Sequence, residues 1–407
     1  MFSWPQKTRG KNILLIIDPQ IDFHTGSLAV PNAEEDAKKI VELINSEKFH
    51  EIHVSLDTHT KNHIGHSGFY DSGYVPFGNY YNGEPVKDEE GNDAGPKKDD
   101  EGNAIPKTVA KQKIIQTDVV LPDNYLETYN EIHNTARGTD YMMWPEHCIE
   151  GSDGHKIYPP IYHALKEAES VKHVRYHIKG QNELTEMYSI FSATVNPTEC
   201  GGPEKRYNPS ASERYEENDY NREQGVSSYD EACKHVNLNT SINRGLINNL
   251  CGEQGENTVY VCGQAKSHCV ADSIIDLLKV GKGKVVLIKD ASSPVLTPPE
   301  KEQFNKGKEV NSVLLGIAEK NIMNAKRENS ISFEKKNTIT VIQELGGKPS
   351  QELKNNAVRK RSSYFMRNLM RNPFEKRGGR KTRKNKRTKR TKAKRANKKK
   401  RKNTQRR

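Results

Sequence analysis

The sequence predicts an α/β protein built on a six-stranded parallel sheet with helices on both faces. Short apolar runs rich in branched residues recur along the chain, and most are separated by stretches with apolar residues at three- and four-residue spacing. Strands that alternate with helices are typical of a parallel sheet that is covered on both sides. The predicted arrangement is therefore doubly wound and Rossmann-like.

The six predicted strands are the apolar runs at 12–17, 51–56, 172–178, 257–262, 284–288 and 338–342. The helix-like stretches between them lie at 33–47, 155–170, 236–250, 268–281 and about 299–324. Together they define a single domain over about residues 8–345.

Two polar stretches interrupt the alternation of strands and helices and are interpreted as insertions. Residues 69–113 contain the near-repeat KDEEGNDAGPK and KDDEGNAIPK, whose acidic, Gly-, Asn- and Pro-rich composition cannot bury a core. Residues 195–231 form the second insertion. After the domain we expect a linker over 346–375 and a disordered basic tail over 376–407.

Charge is divided sharply between the body and the tail. The tail holds 20 Lys or Arg and no acidic residue, which leaves residues 1–375 with 45 basic and 53 acidic side chains, a net charge of −8. A basic terminal run does not make the whole protein a nucleic-acid-binding fold. The ILLII run at 13–17 is too short for a signal-peptide core or a membrane span, so the expectation is a soluble, intracellular protein.

The six cysteines are expected to be reduced thiols. They form no C-x-x-C pair, which excludes the usual zinc-finger pattern, and the chain shows no secretion signal.

Polar side chains follow several of the predicted strands, where the reactive groups of an open parallel sheet gather. Asp18 follows the first strand, Asp57 and His59 the second, Lys179 the third, and Cys269 lies after the fourth. A nearby ammonium and a helix N-terminus favour the nucleophilic thiolate, and a carboxylate can move the thiol proton to a leaving amine. Amide hydrolysis through a thioester is the reaction that this set predicts.

Taken singly, each of these residues also has an ordinary structural interpretation. Asp18 precedes Pro19 and fits a strand-end turn, Lys179 fits a surface lysine, and Cys269 fits a buried core thiol. Only their joint position favours a catalytic site.

Six motifs in this sequence point to one family: LLIIDPQIDF (14–23), SLAV (27–30), DTHTKNH (57–63), WPEHC (144–148), IKG (178–180) and VYVCGQAKSHCV (259–270). They resemble the isochorismatase-like cysteine hydrolases, and specifically their nicotinamidase branch. They occur in the family's order over residues 11 to about 345. The resemblance implies an Asp18, Lys179 and Cys269 triad, an oxyanion hole from the backbone N–H groups of Ala265 and Cys269, and a cis peptide between Gln264 and Ala265.

The resemblance also implies one divalent metal, held by Asp57, His59 and His147. A carboxylate and two imidazoles suit Zn²⁺, with Fe²⁺ or Mn²⁺ as alternatives. His63 and His66 lie near these residues in the sequence and are further candidate ligands, although histidines in a loop are more often solvated than ligating.

Phe23 and Trp144 match family positions that wall the substrate pocket, although Phe23 also fits an ordinary core aromatic. The chain departs from the short nicotinamidases after Lys179, where it reads KGQNELTEMYSIFSA. In this segment the chain is similar to a longer, less characterised set of family hydrolases.

The resulting prediction is a metal-assisted cysteine amidohydrolase that converts nicotinamide to nicotinic acid and ammonia in NAD salvage. The alternatives are a related hydrolase of another small amide, carbamoyl compound or vinyl ether, and a nucleic-acid-binding protein that keeps a spent hydrolase fold.

Residues 376–407 could neutralise many phosphates, which predicts sequence-independent binding of RNA or DNA, or a nuclear address on an otherwise cytoplasmic protein. A merely solubilising tail is the other interpretation. A homo-oligomer is compatible with the sequence, which predicts no transmembrane segment.

Overall fold

The fold is described from a computed structural model covering residues 10–66, 69, 121–207, 221–329 and 331–358. Most of the predicted insertion at 69–113, part of the insertion at 195–231, and the basic tail at 376–407 lie outside the described residues. The described residues up to Pro349 form one compact unit, and a second unit begins at Ser350. In the second unit, residues 351–358 are helical.

Six parallel strands form one sheet, as predicted. They are β1 (Asn12–Ile17), β2 (Glu51–Asp57), β3 (His173–Lys179), β4 (Thr258–Gly263), β5 (Lys284–Ile288) and β6 (Ser332–Lys336), in the order β3-β2-β1-β4-β5-β6. The chain runs outward from β1 to β3 and then returns to place β4 on the other side of β1. The carboxyl ends of β1 and β4 therefore flank the switch point at which ligands bind in open α/β sheets.

The helices cover both faces of this sheet. They are α1 (Ile21–His24), α2 (Ala33–Asn45), α3 (Tyr125–Arg137), α4 (Pro159–Glu169), α5 (Tyr229–Ala232), α6 (Arg244–Cys251), α7 (Cys269–Val280), α8 (Pro298–Asn305), α9 (Val313–Glu328) and α10 (Thr338–Glu344), with a 3₁₀ turn at Pro197–Cys200.

Successive side chains of β1 point to opposite faces of the sheet, so the core has one layer on each face. Ile13, Leu15 and Ile17 of β1 share one apolar cluster with α6, α7 and α9. Leu14 and Ile16 are equally buried on the opposite face of the strand. A strand buried on both faces reads as a continuous apolar run, which is why ILLII marks the centre of the sheet.

The prediction of a strand at 338–342 was wrong. This segment is helix α10, and it buries Thr338, Val341 and Ile342 at three- and four-residue spacing. The sixth strand is instead SFEKK at 332–336, where only Phe333 is buried. An edge strand carries charged residues on its exposed side, so this one lacks the apolar run expected of a sheet interior.

Several helix boundaries also differ from the prediction. Residues 236–243 are not helical, and α6 begins only after Asn243, whose side chain accepts a hydrogen bond from the Leu246 N–H. The stretch at 299–324 is two helices, α8 and α9, and a positive φ at Gly307 follows the first of them. Helix α3 was not predicted. In the part of the chain that the structure describes, no helix has the length and apolarity needed to cross a bilayer.

Candidate active site

The predicted catalytic side chains meet at the carboxyl edge of the sheet. Asp18 directly follows β1, Asp57 ends β2 and Lys179 ends β3, and the register of β2 and β3 pairs Asp57 with Lys179. Cys269 is the first residue of α7, which follows β4. All four side chains are buried.

Lys179 is the centre of this group. Its Nζ lies 3.0 Å from Asp18 Oδ2 and 3.0 Å from Asp57 Oδ1. It also donates to the Met187 carbonyl at 2.9 Å and lies 3.7 Å from the Cys269 sulfur. The ammonium therefore holds both carboxylates and the thiol around one point.

Burial and charge set the protonation states of these groups. Burial raises the pKa of the Cys269 thiol well above its ordinary value, although Lys179 opposes this shift. Burial would lower the pKa of Lys179, but Asp18 and Asp57 outweigh it and hold this pKa well above its usual range. Lys179 thus favours the thiolate, as the sequence argument expected, but burial has the larger effect and favours the protonated thiol.

Asp18 is placed to exchange a proton with that thiol. Its Oδ1 accepts a hydrogen bond from the Ser55 hydroxyl at 2.6 Å, which fixes the carboxylate. Burial raises the pKa of Asp18, with Lys179 acting in the opposite direction. A carboxyl group with a raised pKa is a better proton acceptor in catalysis at neutral pH than an ordinary aspartate.

The loop between β4 and α7 presents backbone donors to the site. The Gln264–Ala265 peptide bond is cis, as the family resemblance implied. Gln264 anchors the loop, since its side chain donates to Asp36 and its N–H donates to the Ile17 carbonyl. The N–H groups of Ala265 and Cys269 donate to no acceptor among the described residues. Two such donors beside a nucleophile are suited to hold an oxyanion.

The predicted metal ligands also converge. Asp57 Oδ2 lies 3.1 Å from His59 Nε2 and 3.5 Å from His147 Nε2. The Nδ1 atom of His59 lies 2.7 Å from the Gly180 carbonyl, and that of His147 lies 2.8 Å from the Pro145 carbonyl. The Nε2 atom of each ring is therefore turned toward Asp57, and in a neutral ring whose Nδ1–H is donated to a carbonyl this atom is free to bind a metal.

Two further histidines stand beside this group. His63 has both ring nitrogens engaged, with Nε2 at 3.0 Å from the Thr185 carbonyl and Nδ1 accepting from the Gly65 N–H at 3.1 Å. It can ligate an ion only by giving up one of these bonds. His66 lies behind His147, with its Nε2 at 3.3 Å from His147 Nδ1.

Sequence reasoning missed Glu186, which the structure places at the same site. This carboxyl group is buried, and its Oε1 lies 3.9 Å from His59 Nε2. Three buried carboxyl groups are thus near the Lys179 ammonium: Asp18 and Asp57 contact it, and Glu186 acts on it electrostatically from further away. The group needs additional positive charge, and the donor set fits a divalent cation that would supply it.

The protonation of His59 supports the same conclusion. Burial lowers its pKa, but the neighbouring Asp57 carboxylate outweighs burial and raises it to about 9. A proton on His59 therefore supplies positive charge where a metal ion would otherwise do so.

The two predicted pocket aromatics lie at the edges of the site. The ring of Phe23 meets His147 edge-on at a centroid distance of 5.5 Å. Trp144 packs edge-on against His268, next to the nucleophile, and its Nε1–H donates to the Tyr188 hydroxyl at 3.0 Å. Tyr188 was not predicted; its position nine residues after Lys179 is the only sequence signal for it.

Helix α3 contacts the Tyr188 side of the site through Arg137. The Arg137 guanidinium pairs with Asp272 on α7, donates to the Ser267 carbonyl at 3.2 Å and lies 4.5 Å from the centre of the Tyr188 ring. These contacts hold the first turn of α7, and with it Cys269, against Tyr188.

Comparisons with known proteins add only a likeness to solved structures. No family model matches the chain, and neither does any curated protein. The chain is 18% identical to a nicotinamidase and pyrazinamidase of Acinetobacter baumanii, with 82% of this chain and 100% of that chain covered and a TM-score of 0.42. For the yeast nicotinamidase bound to nicotinaldehyde the identity is 16%, the coverages are 80% and 100%, and the TM-score is 0.42.

An isochorismatase-family protein of Desulfovibrio vulgaris is 14% identical, with coverages of 83% and 99% and a TM-score of 0.35. These structures come from the family that the sequence motifs resemble.

Proposed function

We propose that this protein is a cysteine amidohydrolase that cleaves a small heteroaromatic amide through a thioester on Cys269, and that its substrate is nicotinamide. The observation that carries the proposal is the contact of one buried lysine, Lys179, with Asp18, Asp57 and the Cys269 sulfur. A nucleophile, a proton carrier and a fixed cation at one strand-end edge are the parts that acyl transfer needs.

In the first half of the reaction, Asp18 accepts the thiol proton while the Cys269 sulfur attacks the amide carbon. The N–H groups of Ala265 and Cys269 hold the resulting oxyanion, and Lys179 keeps Asp18 in position. The C–N bond then breaks as Asp18 returns the proton to the leaving nitrogen, so that ammonia departs and a thioester remains.

In the second half, Asp18 takes a proton from a water molecule that attacks the thioester. The C–S bond breaks, the acid leaves, and the thiol recovers its proton. Each carboxyl and thiol group returns to its starting state, so the cycle needs no redox partner.

Asp57, His59 and His147 are the residues that would hold a divalent metal, for which we propose zinc, with iron or manganese as alternatives. When bound, the ion would offer a Lewis-acid site to the ring nitrogen of the substrate or to water. The backbone carbonyls of Gly180 and Pro145 orient the two imidazoles for this role.

Phe23 and Trp144 are proposed to enclose the flat ring of the substrate. The ring of Phe23 lies against His147, and that of Trp144 lies beside His268, so they flank the metal ligands on one side and the nucleophile on the other. This would position a pyridine ring between the metal and the thiol, and would place the protein in NAD salvage.

An amide panel separates nicotinamide from the alternative of another small amide or carbamoyl substrate. Ammonia release would be measured with the full chain, loaded with zinc, iron or manganese, on nicotinamide, pyrazinamide, benzamide and an N-carbamoyl amino acid. We expect nicotinamide to react faster than benzamide, which lacks the ring nitrogen. Ammonia release from none of them, or equal release by the Cys269→Ala variant, would overturn the proposal.

The charge of residues 376–407 supports a separate role in binding nucleic acid. Twenty cations in 32 residues, with no acidic residue among them, would neutralise phosphates without reading bases. We place this role beside the hydrolase activity and not in its stead, because the catalytic groups occur together in the folded domain.

A further inference from the structure

We propose that Glu186 is a fourth protein ligand of the metal, in addition to Asp57, His59 and His147. The inference rests on the proposed function, because it concerns the same metal. It assigns a task to a residue for which neither the sequence motifs nor the reaction scheme has a use.

The spacing of the donor atoms fits one shared ion. With metal–ligand bonds of about 2.1 Å, neighbouring ligand atoms of an octahedral ion lie about 3 Å apart and opposite ones about 4 Å apart. Asp57 Oδ2 lies 3.1 Å from His59 Nε2 and 3.5 Å from His147 Nε2. Glu186 Oε1 lies 3.9 Å from His59 Nε2, close to the separation of opposite ligands. The donor atoms that already lie within 4.8 Å of one another are those of Asp57, His59 and His147, so Glu186 must turn toward them to complete the shell.

The hydrogen bonding of Glu186 is incomplete in a way that other roles do not explain. The side chain is 1% exposed, Oε1 accepts the Met187 N–H at 3.2 Å, and Oε2 has no partner among the described residues. A buried carboxylate oxygen without a partner is costly, and such groups in native proteins are usually paired or coordinate a metal.

The nearby Glu183 shows what a structural carboxylate looks like in this loop. It is as deeply buried as Glu186, but its Oε2 accepts from Arg206 at 2.7 Å and its Oε1 accepts from Thr60 at 2.6 Å. Two glutamates of the same segment thus differ in their cations: Glu183 pairs with Arg206 at 2.7 Å, whereas the ion pair of Glu186 is with the more distant His59, at 3.9 Å. A bound metal would be the close cation of Glu186.

A ligand and a structural residue respond oppositely to substitution. Glu186→Gln removes a buried negative charge next to Asp57, so the metal-free protein should become more stable while its metal affinity falls. Glu183→Gln, the matched control, leaves Arg206 without its carboxylate, so the metal-free protein should lose stability while its metal affinity is kept.

The test is metal titration of the stripped, full-length proteins. Zn²⁺ and Mn²⁺ affinities would be measured by competition with a chromogenic chelator, Co²⁺ visible spectra would report the ligand shell, and thermal unfolding in chelator would report metal-free stability. We expect Glu186→Gln to weaken binding about 10- to 100-fold, to change the Co²⁺ spectrum and to raise the metal-free Tm.

Unchanged affinity and an unchanged Co²⁺ spectrum in Glu186→Gln would overturn the inference, and so would a wild-type protein that binds none of the three ions. Ammonia release from the same wild-type preparation distinguishes the two levels of the argument. If ammonia release persists while Glu186→Gln binds metal normally, Glu186 is not a ligand and the hydrolase proposal stands. If the metal-loaded wild-type protein releases no ammonia, the hydrolase proposal fails.

Discussion

Replacing Lys179 by Met removes the charge at the centre of the site while keeping the length of the side chain. The Nζ of Lys179 contacts Asp18 and Asp57 at 3.0 Å each and donates to the Met187 carbonyl. In metal-free protein, His59 remains beside Asp57, so Asp18 is the carboxylate that is left without a cation.

The size of the effect follows from the proton that Asp18 must then take up. An ordinary aspartate has a pKa of about 3.9, so protonating it at pH 7 costs about 4 kcal/mol, which is an upper limit for the charge penalty. Burial already raises the pKa of Asp18 in the wild type, which reduces the difference. The lost bond to the Met187 carbonyl adds about 1–3 kcal/mol. We therefore expect Lys179→Met to lower the free energy of unfolding by about 3–5 kcal/mol at pH 7.

The pH dependence identifies the cause. A carboxyl group whose pKa is higher in the folded than in the unfolded protein destabilises the fold as the pH rises. Between the two pKa values, the free energy of unfolding falls by about 1.4 kcal/mol per pH unit. Urea unfolding in chelator should thus show a loss about 2–3 kcal/mol smaller at pH 5 than at pH 7. The double variant Lys179→Met/Asp18→Asn should regain stability at pH 7 and stay inactive. An equal loss at both pH values, or full ammonia release by Lys179→Met, would refute this account.

The remaining predictions concern other parts of the chain. Cys269→Ala should abolish turnover with an unchanged Tm, whereas Cys148→Ala should keep the chemistry, and activity assays of both variants test this. Chelation or His147→Ala should remove most of the bound metal and most of the activity, and the activity should fall chiefly through a higher KM. Full activity in metal-free protein would contradict this prediction. Burial lowers the pKa of His155 to about 4. The neutral ring therefore contributes up to about 3 kcal/mol of stability, which is complete above pH 6.5 and is lost as the pH falls to 4. In His155→Gln, the free energy of unfolding should depend less steeply on pH in this range. Removing residues 376–407 should abolish salt-sensitive, sequence-independent RNA and DNA binding but not hydrolysis, and binding that persists at low salt would contradict it.

The position of the candidate site could be predicted because it depends on strand ends. Asp18, Asp57 and Lys179 each directly follow or end an apolar run, and parallel strands bring their carboxyl ends to one edge. The contacts among these side chains follow from that arrangement. No such rule points to Glu186, which lies in the irregular segment after β3 and reaches the metal ligands only through the tertiary fold.

The sixth strand was predicted at the wrong place because short sequence patterns do not show what a segment packs against in the fold. TITVI at 338–342 is apolar at positions that suit a strand as well as a helix, and the helix forms because Thr338, Val341 and Ile342 bury one face. The true sixth strand, SFEKK, lies at the sheet edge and buries only Phe333, so its sequence resembles a loop. Strand and helix cannot be distinguished from short apolar runs by periodicity alone.

The thioester on Cys269 is the central claim, and peptide mass mapping after rapid acid quench tests it most directly. The full-length, metal-loaded protein would be quenched during turnover of nicotinamide and digested at low pH. We predict one pyridine-3-carbonyl group on the peptide that contains Cys269, and none in the Cys269→Ala protein. An acyl group on another residue, or ammonia release by Cys269→Ala, would contradict the account.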